Sequence, residues 1–171
     1  GITDPLGQSQ VLPYLAGLSR NGFQVHLISC EKPEAFAQNR AQAERAIEAH
    51  QISWHPLPYT KRPPVLSTLA DLYRLRRKAA ILQRKFQFSL VHTRPGIPAL
   101  VGAWMKRKYG VPFLHDIREF YADSRVEGGI WKLSHPLYAL IYRYFKRKET
   151  EELRCCDGIV CLTKAAASII R

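Results

Sequence analysis

The chain has 171 residues, 46% hydrophobic and 23% charged, a balance that suits one globular domain with an ordinary core and excludes a disordered or fibrous protein. With 26 Lys plus Arg against 14 Asp plus Glu, the formal net charge is +12, so the surface attracts anions: phosphorylated small molecules, nucleic acid or anionic lipid. No apolar run reaches the roughly 18 residues of a membrane-spanning helix, and the opening Gly1-Ile2-Thr3-Asp4-Pro5 lacks the basic-then-apolar pattern of a signal peptide.

Val11, Leu12, Leu15 and Leu18 share one helical face, which predicts a first helix from about Gln8 to Arg20, stopped by Asn21-Gly22. Pro13, with no N–H, predicts a kink or a late start in it. A strand over Gln24–Cys30, a helix from Pro33 to about His50 and a short strand at Ile52–Trp54 follow, then a Pro-rich loop ending near Pro64. Leu66, Leu69, Leu72, Leu75, Ala79 and Leu82 recur every three or four residues and predict a long helix from Val65 to about Lys85 with a basic outer face. Ser89–His92 reads as a strand, Ile97–Tyr109 as a helix closed by Gly110, and Val111–His115 as the next strand. Asp116 to Lys132 lack helical periodicity and read as a long loop. A helix from His135 or Pro136 to about Arg154 is expected to bury Leu137, Leu140, Ile141, Tyr144 and Phe145; Ile159–Leu162 is a final strand, and Thr163 caps a last helix.

This alternation predicts an α/β fold, Rossmann-like and three-layered, with a mainly parallel sheet in one domain over residues 1–171. A doubly wound fold places a strand ahead of a loop like the opening one, so a first, central strand is expected upstream and the sequence is read as incomplete. The cysteines Cys30, Cys155, Cys156 and Cys161 form no C-x-x-C pair and the six histidines are scattered. Reduced thiols, cytoplasmic placement and no bound metal are therefore expected.

The opening Asp4-Pro5-Leu6-Gly7-Gln8-Ser9-Gln10 is a glycine-containing turn entering a helix, where backbone N–H groups suit a phosphate; a plain capped loop is the simpler alternative. His115-Asp116-Ile117-Arg118 lies at the carboxyl end of a predicted strand, where open α/β sheets place ligands. There His115 or Asp116 suits orienting or deprotonating a hydroxyl, and Arg118 suits a phosphate; the alternative is that Asp116 and Arg118 only pair with each other. Arg94, after another strand, is read as facing the same cleft, while His92 is read as a core residue. The aromatic and charged run Phe120 to Arg125, with Gly128, Gly129 and Trp131, suits an acceptor wall or a surface loop covering the core. Basic stretches at Arg74, Arg76, Arg77, Lys78, Arg84 and Lys85, and at Arg143, Lys146, Arg147 and Lys148, suit solvated faces or peripheral contact with anionic lipid. Where that contact is made, the expected location is the inner face of the membrane.

In their order along the chain, Asp4-Pro5-Leu6-Gly7-Gln8-Ser9-Gln10-Val11-Leu12-Pro13-Tyr14-Leu15, His92-Thr93-Arg94, Asp116-Ile117-Arg118 with Asp123-Ser124-Arg125, and Asp157 to Thr163 together resemble the family-4 glycosyltransferases of the GT-B fold. The resemblance implies the amino-terminal, acceptor-side domain of a retaining enzyme that works without a metal, with a nucleotide-sugar donor held mostly by a second, carboxyl-terminal domain. It also implies an acceptor that is a sugar or lipid-linked, a place in glycan or glycolipid biosynthesis, no specific nucleic acid, and no transfer by this chain alone. Asp4 and Gly7 inherit the loop near donor phosphate and acceptor; His115, Asp116 and Arg118 inherit the reacting centre. Glu119 departs from the glycine usual after the Asp-Ile-Arg run, and Arg154-Cys155-Cys156 is more polar than usual. Two alternatives stand beside this reading: a non-catalytic basic module for nucleic acid or anionic membrane, which binds polyanions with strong salt dependence, and a Rossmann-like enzyme for another nucleotide.

Overall fold

The computed structural model describes residues 1–63 and 65–170, which form two compact units, Gly1–Lys78 and the chain from Ala79 onward. The class is α/β, as expected: all strand pairing is parallel and helices connect the strands. The strands hydrogen-bond as two sheets, β1-β2 in the first unit and β3-β4-β5 in the second.

In the first unit, the irregularity expected at Pro13 is a π-helical turn, Gly7–Val11, preceding α1 (Leu12–Arg20). The Leu12 N–H reaches back to the Gly7 carbonyl; this widened turn accommodates a proline ring that would collide with the carbonyl four residues earlier. The Asn21 side-chain amide donates to the Gly17 carbonyl at 2.8 Å, and Gly22, at φ 88°, turns the chain out of the helix. Strand β1 (His26–Glu31) leads through α2 (Pro33–Glu48) to β2 (Ser53–Pro58), paired from His26 opposite Ser53 to Glu31 opposite Pro58. β2 runs beyond the expected Ile52–Trp54 and contains Pro56 and Pro58, which a strand in a two-stranded sheet tolerates because one edge carries no ladder. Ile2, Ala43, Ile47 and Ile52 form its core with Leu15, Leu27 and Trp54. The predicted loop end at Pro64 lies outside the described residues.

Helix α3 (Leu66–Phe86) buries Asp71, Leu75, Ala79 and Leu82, whereas Leu66 and Leu69, expected in the core, are exposed. The second unit continues with β3 (Val91–Thr93), α4 (Ile97–Tyr109), β4 (Phe113–Ile117), α5 (Tyr121–Glu127), α6 (Pro136–Cys155), β5 (Gly158–Cys161) and α7 (Lys164–Ile170). α4 has the expected bounds, and Gly110 closes it in the left-handed conformation. β4 starts and ends two residues later than predicted, so His115 lies at the middle of the strand rather than at its end, and Asp116 belongs to the strand rather than to its exit. The Thr163 hydroxyl accepts from the Ala166 N–H at 3.1 Å and caps α7 as foreseen.

Two expectations fail here. The segment read as a continuous loop contains α5, whose Ala122 N–H donates to Glu149 of α6 at 2.9 Å and whose Asp123 meets the Tyr142 hydroxyl and Lys146 ammonium, both at 2.8 Å. Those partners lie about twenty residues away in sequence, so local periodicity carries no trace of them. On α6, only Phe145 of the expected stripe is buried; it packs with Tyr121 and Trp131, while Leu137, Leu140 and Tyr144 face solvent.

Phe113, wholly buried among Ala99, Ala103, Val91, Cys155 and Cys156, centres the core of the second unit. A Cβ on Gly102 would stand 2.6 Å from its ring. Gly102→Ala is therefore expected to destabilise the chain by about 1–3 kcal/mol in urea denaturation, although Gly→Ala within a helix normally stabilises by roughly 0.5–1 kcal/mol; an unchanged or raised midpoint contradicts this packing.

Candidate functional site

Successive strand residues alternate between sheet faces. In β4, Phe113 and His115 lie on the α4 side, their rings stacked with centroids 5.5 Å apart, and Asp116 lies on the other. His115 is 3% exposed, and neither ring nitrogen has a partner among the described residues; the same holds for the Thr93 hydroxyl beside it on β3. Burial pulls the His115 pKa down to about 4, with Asp116 opposing and His92 reinforcing the shift. The imidazole is therefore neutral at physiological pH and shielded from solvent.

Asp116 is the residue around which charged groups gather. Its carboxylate is buried, accepts from Arg118 Nε at 2.7 Å and faces His92 Nε2 at 3.6 Å. Burial depresses the His92 pKa; Asp116 works against that depression, and Arg118 and Arg94 add to it. Arg94 is thus near enough to sense the same site, on the turn between β3 and α4. Gly96 ends that turn at φ 79°, and a Cβ there would strike the Tyr121 ring at 2.6 Å. Arg118 makes no other hydrogen bond among the described residues, so its terminal guanidinium nitrogens remain able to grip an anion bidentately. The structure thus brings His92, Arg94, Asp116 and Arg118 together at the carboxyl ends of β3 and β4, with His115 behind them in the core.

The aromatic and charged run after β4 is occupied internally. Tyr121 meets Trp131 edge-on and Phe145 at a tilt, Arg125 lies over the Tyr121 ring at 4.6 Å, and Asp123 binds α6. Asp157, in the stretch quoted for its family likeness, accepts from the Phe113 N–H at 2.7 Å and Lys106 at 2.6 Å, clamping the start of β4 to α4 and β5.

Asp4 and Gly7 belong to the first unit. Asp4 pairs with Lys32 at 3.3 Å. Gly7 is buried, and a Cβ on it would lie 2.2 Å from the Gly1 carbonyl oxygen, so no side chain fits. Glu31, which sequence reasoning missed, holds the turn: its buried carboxylate accepts from the Ile2 N–H at 2.7 Å, the Thr3 N–H at 3.0 Å and the Thr3 hydroxyl at 2.5 Å. Asn39 of α2 donates to the Thr3 carbonyl at 3.1 Å. Two opening N–H groups are therefore spent on a protein carboxylate. An acidic residue closing an apolar strand was the one available signal. Beside the turn lies an open groove of about 420 Å³ lined by Thr3, Pro5, Gln8, Ser9, Asn39 and Gln42. Among the described residues no cluster of three or more His, Cys, Asp or Glu has metal-binding geometry.

Parallel strands joined by helices, with an ionic cluster at their carboxyl ends, define an α/β protein of the kind that binds ligands at strand tips. Glycosyltransferase Family 4 matches residues 8–171, and the chain belongs to that family. A comparison with curated proteins finds no match.

Two measurements follow. The His115 ring signals are expected to stay those of a neutral imidazole as pH falls from 6.5 towards about 4. Because the unfolded chain takes up that proton first, stability falls across this window, and His115→Phe flattens the fall; an NMR midpoint near 6.5 contradicts the burial. For Glu31, burial raises the carboxyl pKa, but hydrogen bonds from Ser29, Thr3 and the Ile2 and Thr3 amides prevail and lower it. Its contribution is present above the ordinary carboxylate range and lost as pH falls through the lowered pKa. Glu31→Gln is expected to cost about 1–3 kcal/mol at neutral pH and to weaken that acid dependence, as read by denaturant titration at several pH values.

Proposed function

We propose that this chain is the acceptor-side domain of a retaining glycosyltransferase that moves a sugar from a nucleotide-diphosphate donor to an acceptor hydroxyl, the acceptor being a sugar or lipid-linked group in glycan or glycolipid synthesis. The observation that carries the reading is the buried Asp116 carboxylate braced by Arg118 at the end of β4, in a chain of glycosyltransferase family 4. Asp116 accepts a hydrogen bond from the acceptor hydroxyl and fixes its direction of approach. Arg118, anchored through Nε, turns its terminal nitrogens to phosphate, and Arg94 adds positive charge beside it.

The chemistry asked of these residues is mainly electrostatic. Charge grows on the departing diphosphate as the glycosidic bond breaks, and pre-positioned cations stabilise it more than they stabilise the bound donor. In the first unit, the opening turn that carries Asp4 and Gly7 offers a place for phosphate or acceptor, and Gly7 keeps that turn tightly closed. His115 supports Asp116 from the core as an uncharged neighbour, so it leaves the carboxylate's charge uncompensated from that side. No metal takes part, a second domain holds most of the donor, and this chain alone does not complete transfer. The enzyme works in the cytoplasm.

The test is nucleotide-sugar turnover by the complete gene product, with the anomer of the product read by NMR. Asp116→Asn and Arg118→Gln are each expected to lower kcat/KM by about 100-fold or more while the fold persists. Wild-type turnover in both variants, or an inverted product, defeats the proposal.

A further inference from the structure

Leu137, Leu140 and Tyr144 sit at helical spacing on α6 and are 45%, 65% and 47% exposed; Leu133, in the turn before the helix, is 45% exposed. An apolar stripe of this length on a helix normally faces a core. Here the core contact of α6 is made by Phe145 and the buried Glu152, and the stripe lies on another side. From Leu133 to Lys148 the sequence holds Arg143, Lys146, Arg147 and Lys148 and no acidic residue. Lys146 turns to Asp123 and Glu149, and Arg147 pairs through Nε with Glu151 at 3.1 Å while staying exposed; Arg143 is exposed beside the stripe, and Lys132 is exposed ahead of it. No helix among the described residues is long and apolar enough to cross a membrane.

We propose that this face of α6 docks on an anionic lipid surface, lying in the plane of the interface with Leu133, Leu137, Leu140 and Tyr144 among the acyl chains and Arg143, Arg147 and Lys132 at the headgroups. An amphipathic helix with leucines on one side and arginines at its flank meets both demands of such a surface, apolar burial and attraction to negative headgroups. Tyr144 suits the boundary, where its ring is buried and its hydroxyl stays wet. Charge decides against a second copy of this chain as the occupant, since pairing the face with itself brings Arg143 and Arg147 against their own equivalents in a molecule of net charge +12. The inference stands on the surface of α6 and is independent of the transfer reaction, so either can fail without the other.

Flotation of the full chain at physiological salt tests it, with vesicles of phosphatidylcholine alone and of phosphatidylcholine with phosphatidylglycerol. The chain is expected to float with the mixed vesicles and to stay behind with the neutral ones. Leu137→Ser/Leu140→Ser, which leaves the charge unchanged, is expected to weaken partitioning by about tenfold or more. Arg143→Glu/Arg147→Glu is expected to weaken it strongly, and Arg20→Glu/Arg45→Glu, an equal charge change at exposed positions of the first unit, far less. Hydrogen exchange of the unaltered chain is expected to slow over residues 133–147 when mixed vesicles are added. Equal recovery with both vesicles, equal losses in the two arginine pairs, undiminished binding of the leucine pair, or unchanged exchange over 133–147 each overturns the proposal.

Discussion

Alternation along β4 puts Phe113 and His115 against α4 and leaves Asp116 on the opposite face with His92 and Arg118. Neighbours in sequence thereby receive opposite environments. One side is apolar and dry, where an imidazole loses its proton; the other is a cluster of charges, where a carboxylate keeps two basic neighbours within reach. The clamp at the start of the strand, Asp157 on the Phe113 N–H and on Lys106, fixes the register on which this division rests. A slip of one residue would exchange the two faces, placing His115 among the charges and Asp116 in the core.

The acidic residues are few, and several of them are structural. Glu31 closes the opening turn, Asp157 clamps β4, Asp71 accepts from the Thr60 N–H and pairs with Arg74, and Asp123 and Glu149 join α5 to α6. Each satisfies donors that would otherwise be buried or left idle at chain turns. The excess of positive charge therefore remains largely at the surface, on α3 and α6. Arg118 is held by Asp116 through one nitrogen at the carboxyl end of β4. An anchored guanidinium loses less freedom on gripping a phosphate than a mobile one does.

Most element identities were legible in the sequence because they depend on local spacing. α4, with Pro98 in its first turn and Gly110 at its end, was readable to the residue; the disturbance at Pro13 was readable in kind, though not as a π-turn. The Asp116–Arg118 pairing was legible as one of two weighed outcomes. The burial of His115 was not, because the predicted strand ended two residues early and left the histidine at its mouth. Glu31 was missed because its partners, Ile2 and Thr3, lie on a separate segment. α5 and the exposed side of α6 escaped for the same reason.

By itself, then, the amino-acid order determined the alternation of helices and strands, the basic surface and the family likeness, since periodicity, caps and motifs are properties of short stretches. Only tertiary structure decided which face of each element would be covered. A helical stripe such as Leu137, Leu140 and Tyr144 can be buried only if a neighbour is there to meet it. Phe145 found Tyr121 and Trp131, and the other three found solvent.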